Sequence, residues 1–204
     1  MESSATGFDC ANRIHRLGRT IKKIDGLGNV VFRRACEFIA RHGLRGQYIS
    51  VNVSSLQIGN TSSAANVRRI LAESGAAPAQ LALELAESSF GTPAAVSALH
   101  EIRDAGIALF FDDFGVGHSN LMRLQSQPFD VIKIDRCFVS AIGQDGRETA
   151  MIRTIAALAQ ELGLKIIAEG IESEHQARVL RELGISNDQG YLYGRPAPPP
   201  GMPA

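Results

Sequence analysis

Short β-branched runs alternate with longer amphipathic runs along this chain, which predicts an α/β fold with a parallel sheet. Two further observations point the same way. Helix-length segments, not hairpin turns, separate successive strand candidates, as parallel strands require. In addition, polar residues crowd toward the C-terminal end of each strand candidate, the pattern of a (β/α)8 barrel whose site opens on one face.

In chain order the strand candidates are Tyr48–Ser54, Leu81–Glu87, Ala108–Phe114, Val131–Asp135, Lys165–Ile171 and Gly190–Tyr193. The helix candidates are Val30–Arg41, Ala64–Ser74, Ala94–Ala105, Ser119–Gln125, Glu148–Leu162 and Glu174–Leu183. Gly43, Gly75, Gly106, Gly163 and Gly184 lie just past the last periodic residue of their helices, where a left-handed stop is expected. The pattern divides into residues 1–20, of uncertain structure, one domain over 21–196, and a Pro-rich tail over 197–204 expected to be extended or disordered.

At 204 residues, 45% hydrophobic and 21% charged, the chain suits one globular domain with a substantial core. Net charge is zero and no basic run stands out, so no nucleic-acid partner and no membrane surface are expected. No apolar stretch approaches the roughly 18 residues of a membrane helix. The N-terminus lacks the apolar core of a secretory signal. Cys10, Cys36 and Cys137 are odd in number and widely spaced, which argues against a disulfide framework or zinc site and suits the cytoplasm.

The strand-end residues carry the chemistry. Asn52 follows ISV, Glu84 and Glu87 follow LAL, and Asp112 and Asp113 follow ALFF; Lys133 and Asp135 follow VI, Glu169 follows KIIA, and Gln189 opens the last run. One strand-end Asp commonly caps a helix, and Glu87 reads equally well as a residue that holds a loop. The set as a whole is harder to assign to packing, because buried carboxylates are costly unless paired or bound to metal. Asn52, Glu84, Asp112 and Asp113 are hard oxygen donors suited to Mg2+ or Mn2+. Carboxylates able to bridge two such ions, with a lysine nearby, suit attack on a phosphodiester. Asp112–Asn120 (DDFGVGHSN) reads as a mobile loop entering a helix, with His118 exposed and idle.

The blocks ISVNVSSLQ, LELAES, FFDDFGVGHSNL, VIKIDRCFV, IIAEGIES and QGYLYGRP, in this order over residues 48–196, resemble the EAL family of cyclic di-GMP phosphodiesterases. The resemblance implies a TIM-like barrel that hydrolyses cyclic di-GMP to linear pGpG with two Mg2+ or Mn2+ ions. It implies that Asn52, Glu84 and Asp112 hold one metal, and that Asp112 bridges to a second, served also by Asp113. Lys133 would orient or help deprotonate the attacking water, with Glu169 beside it. Gln189 and Glu172 would contact the ligand, and Glu87 would anchor the Asp112–Asn120 loop.

The departures matter as well. No QPI-type strand and no Glu-Ala/Val-Leu strand with its following Arg is recognisable, so the barrel is expected to lack its first two strands and one metal-ligand Glu. The loop reads GVGHSN where the family commonly has GTGYSS. The expectation is therefore a phosphodiesterase domain that is weak or inactive by itself. The alternative is a degenerate module that binds cyclic di-GMP or a protein without catalysis. An open barrel edge further implies a homo-oligomer or a partner that covers it.

Overall fold

Phe32, Cys36 and Ile39 recur at helical spacing and are buried, while Arg41 and His42 in the last turn complement the negative end of the helix dipole. The resulting helix α1 spans Ile21–His42, starting well before the expected Val30. The computed structural model describes residues 21–43, 46–59, 63–86, 92–115, 121–143 and 146–197. The segments 1–20 and 198–204, Glu87, and the loop residues Val116–Asn120 with His118, all singled out in the sequence, lie outside the described residues. The chain forms two compact units, Met1–Ile107 and Ala108–Ala204.

In the first unit, α1 is followed by β1 (Ile49–Val53), α2 (Ser55–Ile58), α3 (Ser63–Ser74), a 3-10 turn over Pro78–Gln80, β2 (Leu81–Leu85) and α4 (Pro93–Asp104). Strands β1 and β2 pair in parallel, in register from Ile49↔Leu81 to Val53↔Leu85. Every residue of β2 is buried, as expected for a parallel strand covered on both faces. Ile70 and Leu71 of α3 and Leu99 and Ile102 of α4 supply apolar cover. Two exposed ion pairs tie the helices together, Arg33–Glu73 at 2.9 Å and Arg68–Glu101 at 2.5 Å. Both pairs are solvent-exposed and screened, so apolar burial dominates.

The second unit runs β3 (Ala108–Phe114), α5 (Leu121–Ser126), β4 (Val131–Ile134), α6 (Arg136–Ser140), α7 (Arg147–Glu161), β5 (Lys165–Glu169), α8 (Glu174–Glu182) and β6 (Asp188–Gln189). Its strands pair in parallel in that order. All four residues of β4 are buried, including Lys133. Asp130, just before β4, aligns its neighbours: its Oδ2 accepts from Leu109 N at 2.9 Å and its carbonyl accepts from Lys165 N at 3.0 Å. The pairing of β3 with β4 shifts register between Phe111 and Phe114, at the two aspartates.

The sixth strand differs from expectation. The strand is Asp188–Gln189, and Gly190–Tyr193 is a turn. Gly190 passes so close to the Ile171 backbone that a Cβ would overlap it, and Leu192 N donates to Ile171 O at 3.0 Å. The chain folds back there, leaving Tyr191 and Tyr193 exposed. Asp135, expected as a strand end, is instead the N-cap of α6. The short helices α2 and α6 were not anticipated, because one turn is too short to show a period. No described helix is long and apolar enough to cross a membrane.

Ile132 at the centre of β4 has no exposed surface. Ile132→Ala is expected to cost about 2–5 kcal/mol, read from urea unfolding.

Candidate functional site

The second unit places Asp112, Asp113, Lys133 and Glu169 toward the C-terminal ends of its strands. Lys133 is 3% exposed. Its Nζ lies 2.5 Å from Glu169 Oε1 and 3.2 Å from Asp112 Oδ1. Strand β4 thus delivers an ammonium between acids from the two strands paired with it. Gln189 stands in register with Glu169 on β6, and its Nε2 donates to Glu169 Oε1 at 2.7 Å. Glu169 is held by an amine and an amide at the same oxygen, a charge-assisted arrangement stronger than neutral hydrogen bonds.

Asp113 occupies the left-handed region at φ 53°, the one described non-glycine residue to do so. The conformation goes with the register shift, which lets consecutive aspartates serve the same end of β3. Strain of this kind, about 1–3 kcal/mol, collects at functional sites. Although Asp113 reaches solvent, desolvation by the surrounding protein pushes its carboxyl above the ordinary aspartate range. The neighbouring Asp112 and Asp135 charges push the same way, and Lys133 opposes them.

Asp112, Asp113 and Glu169 each present an oxygen within 4.8 Å of the others, a spacing that fits a metal ion. Asp112 Oδ1 is buried and faces the Lys133 ammonium but has no hydrogen bond of acceptable geometry. Its lone pairs are free to meet a cation. Three carboxylates against one ammonium leave a formal charge of −2, which a divalent ion balances. The donors are all hard oxygens, suited to Mg2+ or Mn2+.

Beside Glu169 and Gln189 an open groove of about 670 Å3 is lined by Arg136, Glu172, Asp188, Tyr191, Tyr193 and Arg195, among others. Glu172 is exposed at its wall, and the Arg195 guanidinium lies 5.0 Å from the centre of the Tyr191 ring. Gln189 and Glu172 are the ligand contacts that the family resemblance implies, and Arg136 and the Tyr191–Arg195 pair join them only in the structure. The run YLYGRP carried that signal, since an arginine over an aromatic ring is suited to phosphate or a planar base.

In the first unit Asn52 and Glu84 stand opposite each other in the β1–β2 register, which places both side chains on one face. Glu84 is 7% exposed in an otherwise apolar strand, whereas Asn52 is exposed.

Asp113→Asn is expected to raise the melting temperature of the metal-free chain near neutral pH. Because the folded carboxyl is raised, its proton-linked stability is present at low pH and lost as pH rises through the folded value. The gain from Asn must therefore shrink toward zero as pH falls below the ordinary aspartate range, and Asn also tolerates the left-handed backbone. Thermal melts from pH 3 to pH 8 check this, and a pH-independent gain would contradict the electrostatic cause.

Comparison with known proteins follows the same line. The EAL domain family model matches residues 2–196. Over 180 residues, 86% of this chain and 23% of the relative, the sequence is 36% identical to the cyclic di-GMP phosphodiesterase NbdA of Pseudomonas aeruginosa. The PaMucR phosphodiesterase in its c-di-GMP complex superposes with a TM-score of 0.84 and 33% identity, covering 92% of this chain and 78% of that one. A manganese/cy-diGMP complex of Klebsiella pneumoniae BlrP1 gives a TM-score of 0.77 at 26% identity, over 84% of this chain and 45% of that one. The chain spans between a fifth and a quarter of the length of the first curated relatives it matches.

Proposed function

The chain belongs to the EAL domain family, with an α/β fold of the TIM-like kind, and from that premise we propose that it is a cyclic di-GMP phosphodiesterase domain releasing linear pGpG. The observation that carries this reading is the Asp112–Lys133–Glu169 chain, with its lysine buried, beside Asp113, which joins a divalent-ion donor set to an ammonium at one place.

Asp112 and Asp113 are the ligands we assign in the second unit, and Asn52 and Glu84 those we assign in the first. These oxygens would hold Mg2+ or Mn2+, which when bound would acidify a water toward neutral pH and supply positive charge for the phosphate oxygens. Lys133 holds the attacking water by hydrogen bonding and stabilises the hydroxide that forms. Glu169 keeps Lys133 charged and in place, and Gln189 fixes Glu169. Addition of OH to phosphorus breaks the bond to the 3′ oxygen, which takes the remaining proton and leaves one linear dinucleotide. Glu172, Arg136 and Arg195 are assigned to ligand contact in the groove. We assign Glu87 the role of anchoring the Asp112–Asn120 loop. The free thiols of Cys36 and Cys137 support a cytoplasmic setting.

A second reading, binding of cyclic di-GMP without hydrolysis, is favoured by one observation: the loop after Asp112–Asp113 reads GVGHSN where the family commonly has GTGYSS. Incubation with cyclic di-GMP and Mn2+ separates the two. Hydrolysis predicts pGpG release that EDTA abolishes and that Lys133→Met lowers by about 100-fold or more. Tight nucleotide binding by calorimetry without any product would establish the second reading instead.

We also propose that the chain associates with a second copy or with another segment. Among the described residues β6 pairs with β5, and Tyr191 and Tyr193 just beyond it are more than half exposed. Light scattering is expected to give a mass above 21.9 kDa, and a stable monomer would refute association with a second chain.

A further inference from the structure

We propose that Gln176 is a positioning residue for the acidic site: its amide locks α6, and α6 sets where the ends of β3 and β5 stand. The inference rests on the reading of that site as catalytic.

Three hydrogen bonds converge on the Gln176 side chain. Gln176 Oε1 accepts from Glu172 N at 2.8 Å and from Ser173 N at 3.0 Å, while Ser173 Oγ accepts from Gln176 N, closing a capping box at the start of α8. A glutamate would close that box equally well. Gln176 Nε2 also donates to Val139 O at 3.2 Å, across 37 residues of sequence, to the last turn of α6. A carboxylate cannot make that bond, so it is the contact that distinguishes Gln from Glu here.

Helix α6 has five residues, too few to hold itself without outside contacts. Its N-terminus is fixed by Asp135, whose Oδ1 accepts from Cys137 N at 2.8 Å. Gln176 fastens the other end. Between these two anchors α6 rests on two glycines, each next to or near an acidic residue. Gly115 lies two residues after Asp113, and a Cβ built there would stand 2.7 Å from two atoms of the Phe138 ring. Gly170 directly follows Glu169, and a Cβ there would overlap the Arg136 side chain. Both glycines have positive φ, +100° and +73°. The helix is therefore a spacer seated against both acidic strand ends, with no slack at either seat. Since the same Gln176 holds the Glu172–Ser173 backbone, one amide ties the groove wall to that spacer.

Hydrogen–deuterium exchange on the full chain, with steady-state hydrolysis beside it, tests this. Gln176→Glu keeps the cap and loses the bond to Val139, and is expected to speed exchange about ten-fold at residues 136–142 and 112–115, the scale of one hydrogen bond. The same variant is expected to lower kcat about ten-fold with KM little changed, since positioning and not ground-state binding is lost. Ser173→Ala breaks only the cap and is expected to speed exchange at 173–177 alone. Should Gln176→Glu not fold, Gln176→Met removes the same bond with the side-chain volume kept, and is expected to speed exchange at 112–115 in the same way. Unchanged exchange at 112–115 in a folded variant overturns the proposal, whether or not the chain hydrolyses anything. Accelerated exchange there in a chain that releases no pGpG supports the positioning role while defeating the catalytic reading of the site.

Discussion

A buried ammonium is the constraint around which the second unit is organised. Lys133 sits in a strand that is otherwise Val131, Ile132 and Ile134, and all four are buried. Desolvating such a charge costs several kcal/mol unless counter-charges meet it at close range. The paired strands on either side supply them, Asp112 from β3 and Glu169 from β5, at 3.2 Å and 2.5 Å. The register of the sheet is thereby tied to the chemistry. A slip of one residue in any of the three strands would turn Lys133, Asp112 or Glu169 to the opposite face and strand the others. Structural and chemical demands coincide at this point.

The same cluster is over-supplied with negative charge for a purely structural role. One ammonium needs one carboxylate, and here it has two, with Asp113 adding a third oxygen donor nearby. Asp113 is kept there in a left-handed conformation and against its own electrostatics. Folding alone gives no return for that strain. A divalent cation would, since it offsets the desolvation and the neighbouring charges that raise the Asp113 carboxyl. In the first unit Glu84 shows a related anomaly, a carboxylate in the fully buried LALEL strand with Asn52 in register beside it.

Much of this was legible in the amino-acid order. The strand ends of the second unit stood out because acids and an amine follow immediately on apolar runs, where packing has no use for them. Asp112 with Asp113, Lys133 after VI and Glu169 after KIIA are all where that logic placed them. Helix ends were legible for a similar local reason, as at Gly75 and Gly163, which stop α3 and α7 in the left-handed region. Less visible were elements whose existence depends on distant contacts. Helix α6 has no period of its own, and the turn at Gly190 follows from its approach to Ile171. Asp135 looked like another strand end, yet its carboxylate caps α6.

The sequence by itself determined the fold class, the order of the first five strands and the longer helices, and the identity of the acids and the lysine at the strand ends. These follow from apolar periodicity and from the cost of burying charge, both local properties of the chain. Tertiary structure alone decided which oxygen faces which nitrogen: that Lys133 bridges Asp112 and Glu169, that Gln189 holds Glu169, and that Gln176 reaches Val139. Partners separated by 20 to 37 residues meet only after the sheet register and the helix packing are set. The physical reason is that a hydrogen bond is selective over tenths of an ångström, whereas a hydrophobic pattern specifies a face and no more.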